Sequence, residues 1–375
     1  MMNIIYNIDP QEPLKSIMMS KYTGASYFYD CMPNLMTTVN GTAQNEYNYT
    51  RYWHGYIAVW RPLFVFFNYT EISLINIFLF YLLAFLLIIC TAKKIGYWAA
   101  IALGLSFIYI NFWCIPLAFQ YLDVFYIVLI ISLILLTFNI KKESTYLKII
   151  FIAASLTSFF DLLTVPVVTL GIPLIFIIMK HEAYVKKQSF KQVFFFLFRF
   201  GLCWSIGYVL TWLMKPVIAS VFNPDVITDF VQQIQFRMNG EGIYRENFIN
   251  EGGTGVNFFK YRIYAMYKIF KTMFFELYTL PTLFLSVLLF VNLLIFRKKN
   301  EKLTVFYVYV LVASIPYLWC FVAANHSYMH PMFVYRIQMI TVFSLLLAYG
   351  NVIDTVKIKH KCFKLYERMN VFKRV

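Results

Sequence analysis

The chain has 375 residues, of which 61% are hydrophobic, 20% are aromatic and only 14% are charged. Soluble domains average about 25% charged residues, so this composition excludes an ordinary soluble protein and indicates several membrane-spanning helices. The formal net charge of +15 raises the question of nucleic acid binding. The basic residues lie mainly in short loops between apolar runs, which is what membrane orientation requires, so we expect no nucleic acid partner.

Composition divides the chain into five regions. They are an N-terminal polar segment (1–70), six predicted transmembrane helices (71–214), a polar loop (215–276), three more predicted transmembrane helices (277–352) and a basic tail (353–375). Within the loop, residues 258–275 interleave apolar and basic side chains at helical spacing, which predicts an amphipathic helix lying on the membrane surface. The fold prediction is therefore an all-α polytopic membrane protein with about nine transmembrane helices and amphipathic helices at its outer face.

The distribution of charge predicts the orientation of the chain in the cell membrane. If the spans alternate, 20 of the 33 Lys and Arg residues fall on one side, which we assign to the cytoplasm together with the C-terminus. The N-terminal segment then lies outside, with no predicted helix before it to carry it across. We therefore expect that an upstream helix is missing, and an N-terminally truncated, inactive copy is one reading of the sequence.

One acidic residue stands inside a long apolar run. Residues 146–179 are long enough for two short spans, and Asp161 lies near the predicted turn between them, before Pro166. An ionisable residue at membrane depth is costly and usually faces a cavity or a partner, which favours a functional acid. The alternative is a helix-end carboxylate that caps the next helix through Thr164.

Two histidines and an arginine follow in the stretch NHSYMHPMFVYR. His326 and His330 are four residues apart, a spacing that places both on one helix face. The pair resembles half of a zinc site, but structural hydrogen bonding and contact with a substrate remain alternatives. Arg336 lies just inside the last predicted span, where it either extends outward to the interface or binds an anion such as a lipid-linked phosphate.

A second group of candidates precedes the first predicted span, in RYWHGYIAVWRPL. Arg51, His54 and Arg61 are polar residues among aromatic ones at the predicted outer face, and we assign them to substrate binding. The cysteines form neither a disulfide framework nor a metal-binding pattern. We therefore predict no resident metal or other cofactor, although a divalent metal is left open.

The stretches RYWHGYIAVWRPL, FFDLLTVPVVTLGIPL and NHSYMHPMFVYR resemble those of poorly characterised bacterial membrane proteins associated with cell-envelope polysaccharides. The architecture resembles that of the GT-C class of membrane glycosyltransferases. This resemblance implies transfer of a sugar from a polyprenyl-phosphate donor to a glycan or lipid acceptor on the outer face. The acidic pair usual after the first helix of that class is not seen here.

The resemblance implies roles for the candidates. Asp161 is the expected catalytic acid or base. The expected substrate-binding residues are Arg51, His54, Arg61, His326, His330 and Arg336. A transporter or flippase for lipid-linked saccharides, or a polymerase-like protein, is the alternative to an enzyme. A transporter should show related halves with broken helices in matching places, and no internal repeat is evident in the sequence.

Overall fold

A computed structural model of the chain describes residues 1–25, 30–239, 258–298, 303–354 and 357. Its helices are α1 (Met2–Tyr6), α2 (Pro13–Met18), α3 (Cys31–Val39), α4 (Ile57–Phe66), α5 (Tyr69–Lys94), α6 (Tyr97–Tyr109), α7 (Phe119–Thr137), α8 (Glu143–Phe160), α9 (Val168–Lys180), α10 (Glu182–Val185), α11 (Phe190–Ala219), α12 (Asp225–Asn239), α13 (Phe258–Lys271), α14 (Thr279–Phe296), α15 (Thr304–Ala313), α16 (Ile315–Val322), α17 (Ala324–Met329), α18 (Pro331–Val334) and α19 (Met339–Val352). Strands β1 (Lys21–Gly24) and β2 (Asn45–Asn48), two 3₁₀ helices (Phe112–Leu117 and Tyr335–Gln338) and a π-helical turn (Thr272–Leu277) complete the elements.

The described chain is a predominantly α-helical membrane protein. Six segments are long and apolar enough to cross a bilayer: Tyr69–Lys94, Phe119–Thr137, Phe190–Ala219, Thr279–Phe296, Thr304–Val322 and Pro331–Val352. The other three predicted spans correspond to α6, α8 and α9, which do not meet that description. The 13 residues of α6 and of α9 rise only about 20 Å, against a hydrocarbon core of about 30 Å.

The backbone explains why two of these helices are short. Asn111 adopts a left-handed conformation with φ of 51°, which ends α6 before the 3₁₀ helix that contains Pro116. Similarly, α8 ends at Phe160 and α9 begins at Val168, so the predicted turn near Asp161 is present. The residues of this turn, between Phe160 and Val168, are therefore not available to extend α9 to the length of a full span.

The most deeply buried element is α9. Every residue from Val168 to Met179 is buried, since α7, α8, α15 and α19 surround this helix. Gly171 permits the close approach of α19, because a Cβ atom there would lie 2.5 Å from the Ile340 side chain. The centre of the bundle is therefore a packed and predominantly apolar core.

The N-terminal segment is folded and contains structure that the sequence analysis did not predict. Strands β1 and β2 pair as an antiparallel two-stranded sheet. The buried side chain of Asn3 donates hydrogen bonds to the Thr23 carbonyl oxygen at 2.7 Å and to Thr38 Oγ1 at 2.9 Å. Lys215, near the end of α11, donates a 2.6 Å hydrogen bond to the Ile17 carbonyl oxygen, which attaches the segment to the bundle.

Hydrogen bonds gather the polar segments at one end of the bundle, which we call the polar end. Asn325 of α17 donates to the Phe236 carbonyl oxygen of α12 at 2.7 Å, and Gln338 donates to the Ile269 carbonyl oxygen of α13 at 2.8 Å. The predicted amphipathic segment does form a helix, α13, which packs against α16 and α17. The N-terminal segment and the turn at Asp161 lie at this same end.

The opposite end, which we call the basic end, collects the lysine-rich turns. Lys180 donates to the Leu135 carbonyl oxygen at 2.6 Å, and Lys298 donates to the Asn351 carbonyl oxygen at 3.1 Å. The first contact joins the ends of α7 and α9, and the second joins the ends of α14 and α19. Most of the predicted basic tail, from residue 355 onward apart from Lys357, lies outside the described residues.

Candidate functional site

The loop between β2 and α4 lies across the ends of α8 and α11. The Trp53 indole donates a 2.6 Å hydrogen bond to the Thr211 carbonyl oxygen, and the Trp212 indole donates to the Arg51 carbonyl oxygen at 3.1 Å. The backbone N–H of Gly55 donates to the Phe159 carbonyl oxygen at 2.9 Å. These three bonds fix the loop against the turn that contains Asp161.

His54 is a buried structural element of this loop. Its Nε2 atom lies 2.8 Å from the Tyr49 carbonyl oxygen, and its Nδ1 atom lies 3.0 Å from the Tyr56 hydroxyl. Burial lowers the pKa of His54 to about 3, so the ring is neutral at ordinary pH. Since both ring nitrogens are engaged within the loop, His54 orients the loop, and substrate contact through its nitrogens would require these bonds to open.

Arg51 and Arg237 approach the same tyrosines. The Arg51 guanidinium carbon lies 4.0 Å from the centre of the Tyr49 ring and 5.6 Å from that of Tyr52. The Arg237 guanidinium lies 5.8 Å from the Tyr52 ring, and its Nε donates to the Tyr52 hydroxyl at 3.2 Å. Neither arginine has a carboxylate within 4 Å among the described residues. Arg51 and Arg237 therefore create a positively charged region that no carboxylate of the described structure neutralises.

His326 of α17 and His330, the residue that follows this helix, complete the cluster. Their ring centres are 4.9 Å apart, and His326 contacts the backbone of Leu163 in the turn after α8. Burial holds the pKa of His326 well below its usual range, and burial followed by the charge of Arg237 lowers that of His330 to about 4. Both rings are thus neutral, and each can donate one hydrogen bond.

Two buried nitrogen atoms in this cluster lack hydrogen-bond partners: Nε of Arg51 and Nε2 of His326. Buried polar atoms are normally satisfied, so these two atoms are positions at which an ordered water or a polar ligand would supply the missing partner. We call the cluster the cationic cluster. It comprises Tyr49, Arg51, Tyr52, Arg237, His326 and His330.

Asp161 lies in the turn beside the cationic cluster. Its side chain is 2% exposed, and both carboxylate oxygens accept 3.0 Å hydrogen bonds from the backbone N–H of Thr164. The Thr164 hydroxyl also bonds to it. Burial raises the pKa of Asp161 to about 7, against the opposing effect of these hydrogen bonds. These contacts match the alternative in which Asp161 caps the turn through Thr164. The raised pKa also allows the carboxylate to take up a proton near neutral pH.

The turn around Asp161 is conformationally unusual. Leu163 has φ of 67°, a left-handed conformation that a bulky L-residue rarely adopts. Such strain persists only where the surrounding structure enforces it, and it often accompanies a functional site. Here it brings the Leu163 backbone to His326 and its side chain to the wall of an apolar groove.

The apolar groove has a volume of about 620 Å³ and lies between α9, α11, α12, α15 and α16. The exposed side chains of Phe198, Leu202 and Leu318 form part of its wall, so it is open to the lipid-facing surface. Among the described residues that line it, Arg237 alone is charged. The groove therefore leads from the lipid-facing side to the cationic cluster.

The two remaining predicted arginines lie elsewhere. Arg61 donates to the Ile8 carbonyl oxygen at 3.2 Å and borders a separate cavity of about 550 Å³. Arg336 is 7% exposed and lies between the rings of Tyr121 and Tyr335, at 4.7 and 4.8 Å. Its Nη1 donates to the Met332 carbonyl oxygen, and its Nε is buried without a partner. The structure thus brings together Arg51, His326 and His330 but not Arg61 or Arg336.

Two residues at the site were missed by the sequence analysis. Arg237 lies on α12, where alternation of apolar and polar residues at helical spacing gave the only signal. Asp123 lies near the start of α7, beside the Trp60 indole and within electrostatic range of Asp161. The rule that singled out Asp161, an acid within an apolar run, applies equally to Asp123.

The donor set gives no metal site in the described part of the chain, because no three His, Cys, Asp or Glu side chains gather there. No family model, no curated protein and no solved structure matches the chain. The features of the described structure that bear on its function are the cationic cluster and the apolar groove.

Proposed function

We propose that the protein is a membrane glycosyltransferase that transfers a sugar from a polyprenyl-phosphate donor to a cell-envelope glycan or lipid acceptor. The observation that carries this proposal is the apolar groove, which opens toward lipid and ends at Arg237 in the cationic cluster. An isoprenoid chain bearing a phosphate has the same arrangement, with a long apolar tail and one anionic end. No metal enters the proposal.

The groove suits the tail of such a donor. Its volume of about 620 Å³ lies within the range of about 300–1,000 Å³ that small-molecule sites occupy. The exposed side chains along it, including Phe198 and Leu202, allow a lipid to enter sideways from the bilayer. Only part of a polyprenyl chain is enclosed, and the rest remains among membrane lipids.

The cationic cluster suits the phosphate. Guanidinium groups bind phosphate through paired hydrogen bonds, and Arg51 and Arg237 have no carboxylate to neutralise them in the described structure. The unpartnered nitrogens of Arg51 and His326 would donate hydrogen bonds to the oxygens of such a ligand. When the bond between sugar and phosphate breaks, negative charge develops on the phosphate, which these arginines would stabilise.

Asp161 is our candidate for the general base. The acceptor hydroxyl attacks the anomeric carbon, the bond from that carbon to the phosphate oxygen breaks, and the hydroxyl proton passes to the Asp161 carboxylate. A base is most effective when its pKa is near the working pH, and burial places that of Asp161 at about 7. To act, the carboxylate must exchange a hydrogen bond from Thr164 for one from the acceptor.

Mass spectrometry of envelope glycopolymers tests the proposal. We would compare wild type, a deletion strain, and deletion strains complemented with wild-type protein, Arg237→Gln or Arg297→Gln. Arg297, at the basic end, is the charge-matched control. We expect one sugar substituent to disappear in the deletion and the Arg237→Gln strains only.

Two outcomes would overturn the proposal. Accumulation of an intact lipid-linked saccharide on the inner leaflet of the deletion strain would indicate a flippase. Unchanged sugars with altered polymer length would indicate a polymerase-like function.

A further inference from the structure

A second polar cavity lies at the basic end of the bundle, remote from the proposed transferase site. It has a volume of about 500 Å³ and is enclosed by the start of α8, the end of α9, α10 and the first half of α11. Its inner wall carries a polar pair, since the Tyr146 hydroxyl lies 3.1 Å from Nε2 of the half-buried His181. Phe195 and Phe196 form an apolar side of the cavity.

Cations dominate the lining of this cavity. Lys141, Lys191 and Arg199 all line it, whereas Glu143 is its one acidic lining residue in the described structure. Glu143 pairs with Arg199 at 3.0 Å, which leaves the two lysines without a carboxylate within 4 Å among the described residues. The cavity thus has a net positive charge, polar groups at its wall and an apolar side.

We propose that this cavity binds the phosphate headgroup of an anionic membrane phospholipid, whose acyl chains lie along the apolar side. Basic pockets between membrane helices bind anionic headgroups because the charges attract and the chains remain in the bilayer. The exposed Phe195 of α11 extends the apolar side toward lipid, which a free phosphate would not need. The site is independent of the proposed transferase activity.

Direct lipid binding to the purified full-length protein tests this inference. Phosphatidylglycerol and phosphatidylcholine would be titrated in separate arms and retained lipid counted by native mass spectrometry. Inorganic phosphate and glycerol phosphate would be titrated in further arms. We expect preferential binding of phosphatidylglycerol and no saturable binding of the soluble phosphates.

Paired substitutions separate the cavity from general surface charge. The double variant Lys141→Gln/Lys191→Gln should weaken phosphatidylglycerol binding about 10- to 30-fold. The control Lys148→Gln/Lys187→Gln makes the same change in net charge at two exposed lysines that do not line the cavity. Because the control lysines lie outside the cavity, salt screens their effect on a bound headgroup, and we expect the control to change binding by less than about threefold.

A variant that binds phosphatidylglycerol more tightly provides a further test, because misfolding would weaken binding and not strengthen it. Glu143→Gln removes the acid and releases Arg199, so phosphatidylglycerol should bind about fivefold more tightly. Equal losses in the two double variants, or equal binding of both lipids, would overturn the inference. Displacement of the lipid by inorganic phosphate alone would assign the cavity to a soluble anion instead.

Discussion

Nε of Arg237 donates a 3.2 Å hydrogen bond to the hydroxyl of Tyr52, which joins α12 to the loop between β2 and α4, 185 residues earlier in the chain. The bond orients the guanidinium at the end of the apolar groove, and Nη1 is held at 2.5 Å by Oε1 of Gln233. Arg237 is therefore a fixed cation at the boundary between the lipid-facing groove and the cationic cluster.

The first prediction concerns this cation. Arg237→Gln should weaken binding of a polyprenyl phosphate to the purified protein about 10- to 100-fold, because a hydrogen bond to a charged group contributes about 1.5–3 kcal/mol. Tryptophan fluorescence quenching would report binding, since Trp212 and Trp319 line the groove. The matched control is Arg297→Gln, which should bind like wild type. If wild type, Arg237→Gln and Arg297→Gln bind polyprenyl phosphate equally well, Arg237 does not contact the phosphate.

Composition and charge were sufficient to predict the membrane class, and the apolar runs located the six described segments that are long enough to span a bilayer. Six of the nine predicted spans correspond to segments of the described structure that are long enough to cross a bilayer, and apolar length alone did not reveal where the helices of the other three are interrupted. A left-handed Asn111 ends α6, and the turn from Asp161 to Val167 shortens α9. Both interruptions depend on packing against neighbouring helices, which a hydropathy pattern does not contain.

The candidate site was predicted only in part for a similar reason. Arg51, His326 and His330 were expected near one another because alternating spans placed them at one end. Arg61 and Arg336 shared that end, but their side chains point into different surroundings. Arg237 was missed because its significance comes from contacts with Tyr52 and the groove, and no local pattern marks those contacts.

The second prediction concerns acid stability. The pKa of His54 is lowered from 6.5 to about 3 by burial, so the folded state binds its proton less readily than the unfolded state. Its contribution to stability is complete above pH 6.5 and is lost as the pH falls toward 3. The loss is on the order of 5 kcal/mol over that window.

Thermal unfolding in detergent as a function of pH would measure this effect. His54→Asn should lower stability near neutrality, because two buried hydrogen bonds are disturbed. It should also reduce the loss of stability that occurs as the pH falls from 6.5 toward 3. The control His181→Asn, at the half-buried histidine of the basic end, should reduce this acid-dependent loss of stability much less. An unchanged acid decline in His54→Asn would contradict the buried, neutral state of His54.

The third prediction concerns the contact between α8 and the loop that joins β2 to α4. A Cβ atom on Gly55 would lie 2.3 Å from the Phe159 ring and 2.6 Å from its carbonyl oxygen. Gly55→Ala should therefore destabilise the protein by about 1–3 kcal/mol, as overpacking does. Gly104→Ala is the control, since a Cβ in that helix meets nothing within 4 Å and should stabilise by about 0.5–1 kcal/mol. Similar melting temperatures for the two variants would contradict the close approach.

The fourth prediction separates two roles for Asp161. As a general base it should be required for transfer, so Asp161→Asn should lower the rate of sugar transfer about 10²- to 10⁴-fold. Asparagine retains one oxygen that can accept from the Thr164 N–H, so much of the turn should survive.

Thr164→Val distinguishes capping from catalysis, because it removes the hydroxyl donor and leaves the Asp161 carboxylate in place. We expect this variant to lose about 1 kcal/mol of stability and to transfer sugar at a rate within a few-fold of wild type. Transfer rates and melting temperatures would be measured on the same preparations. If the Asp161→Asn rate merely follows its melting temperature, as the Thr164→Val rate does, Asp161 caps the turn and another group must accept the proton. In that case Asp123, within electrostatic range of Asp161, would be the next residue to replace.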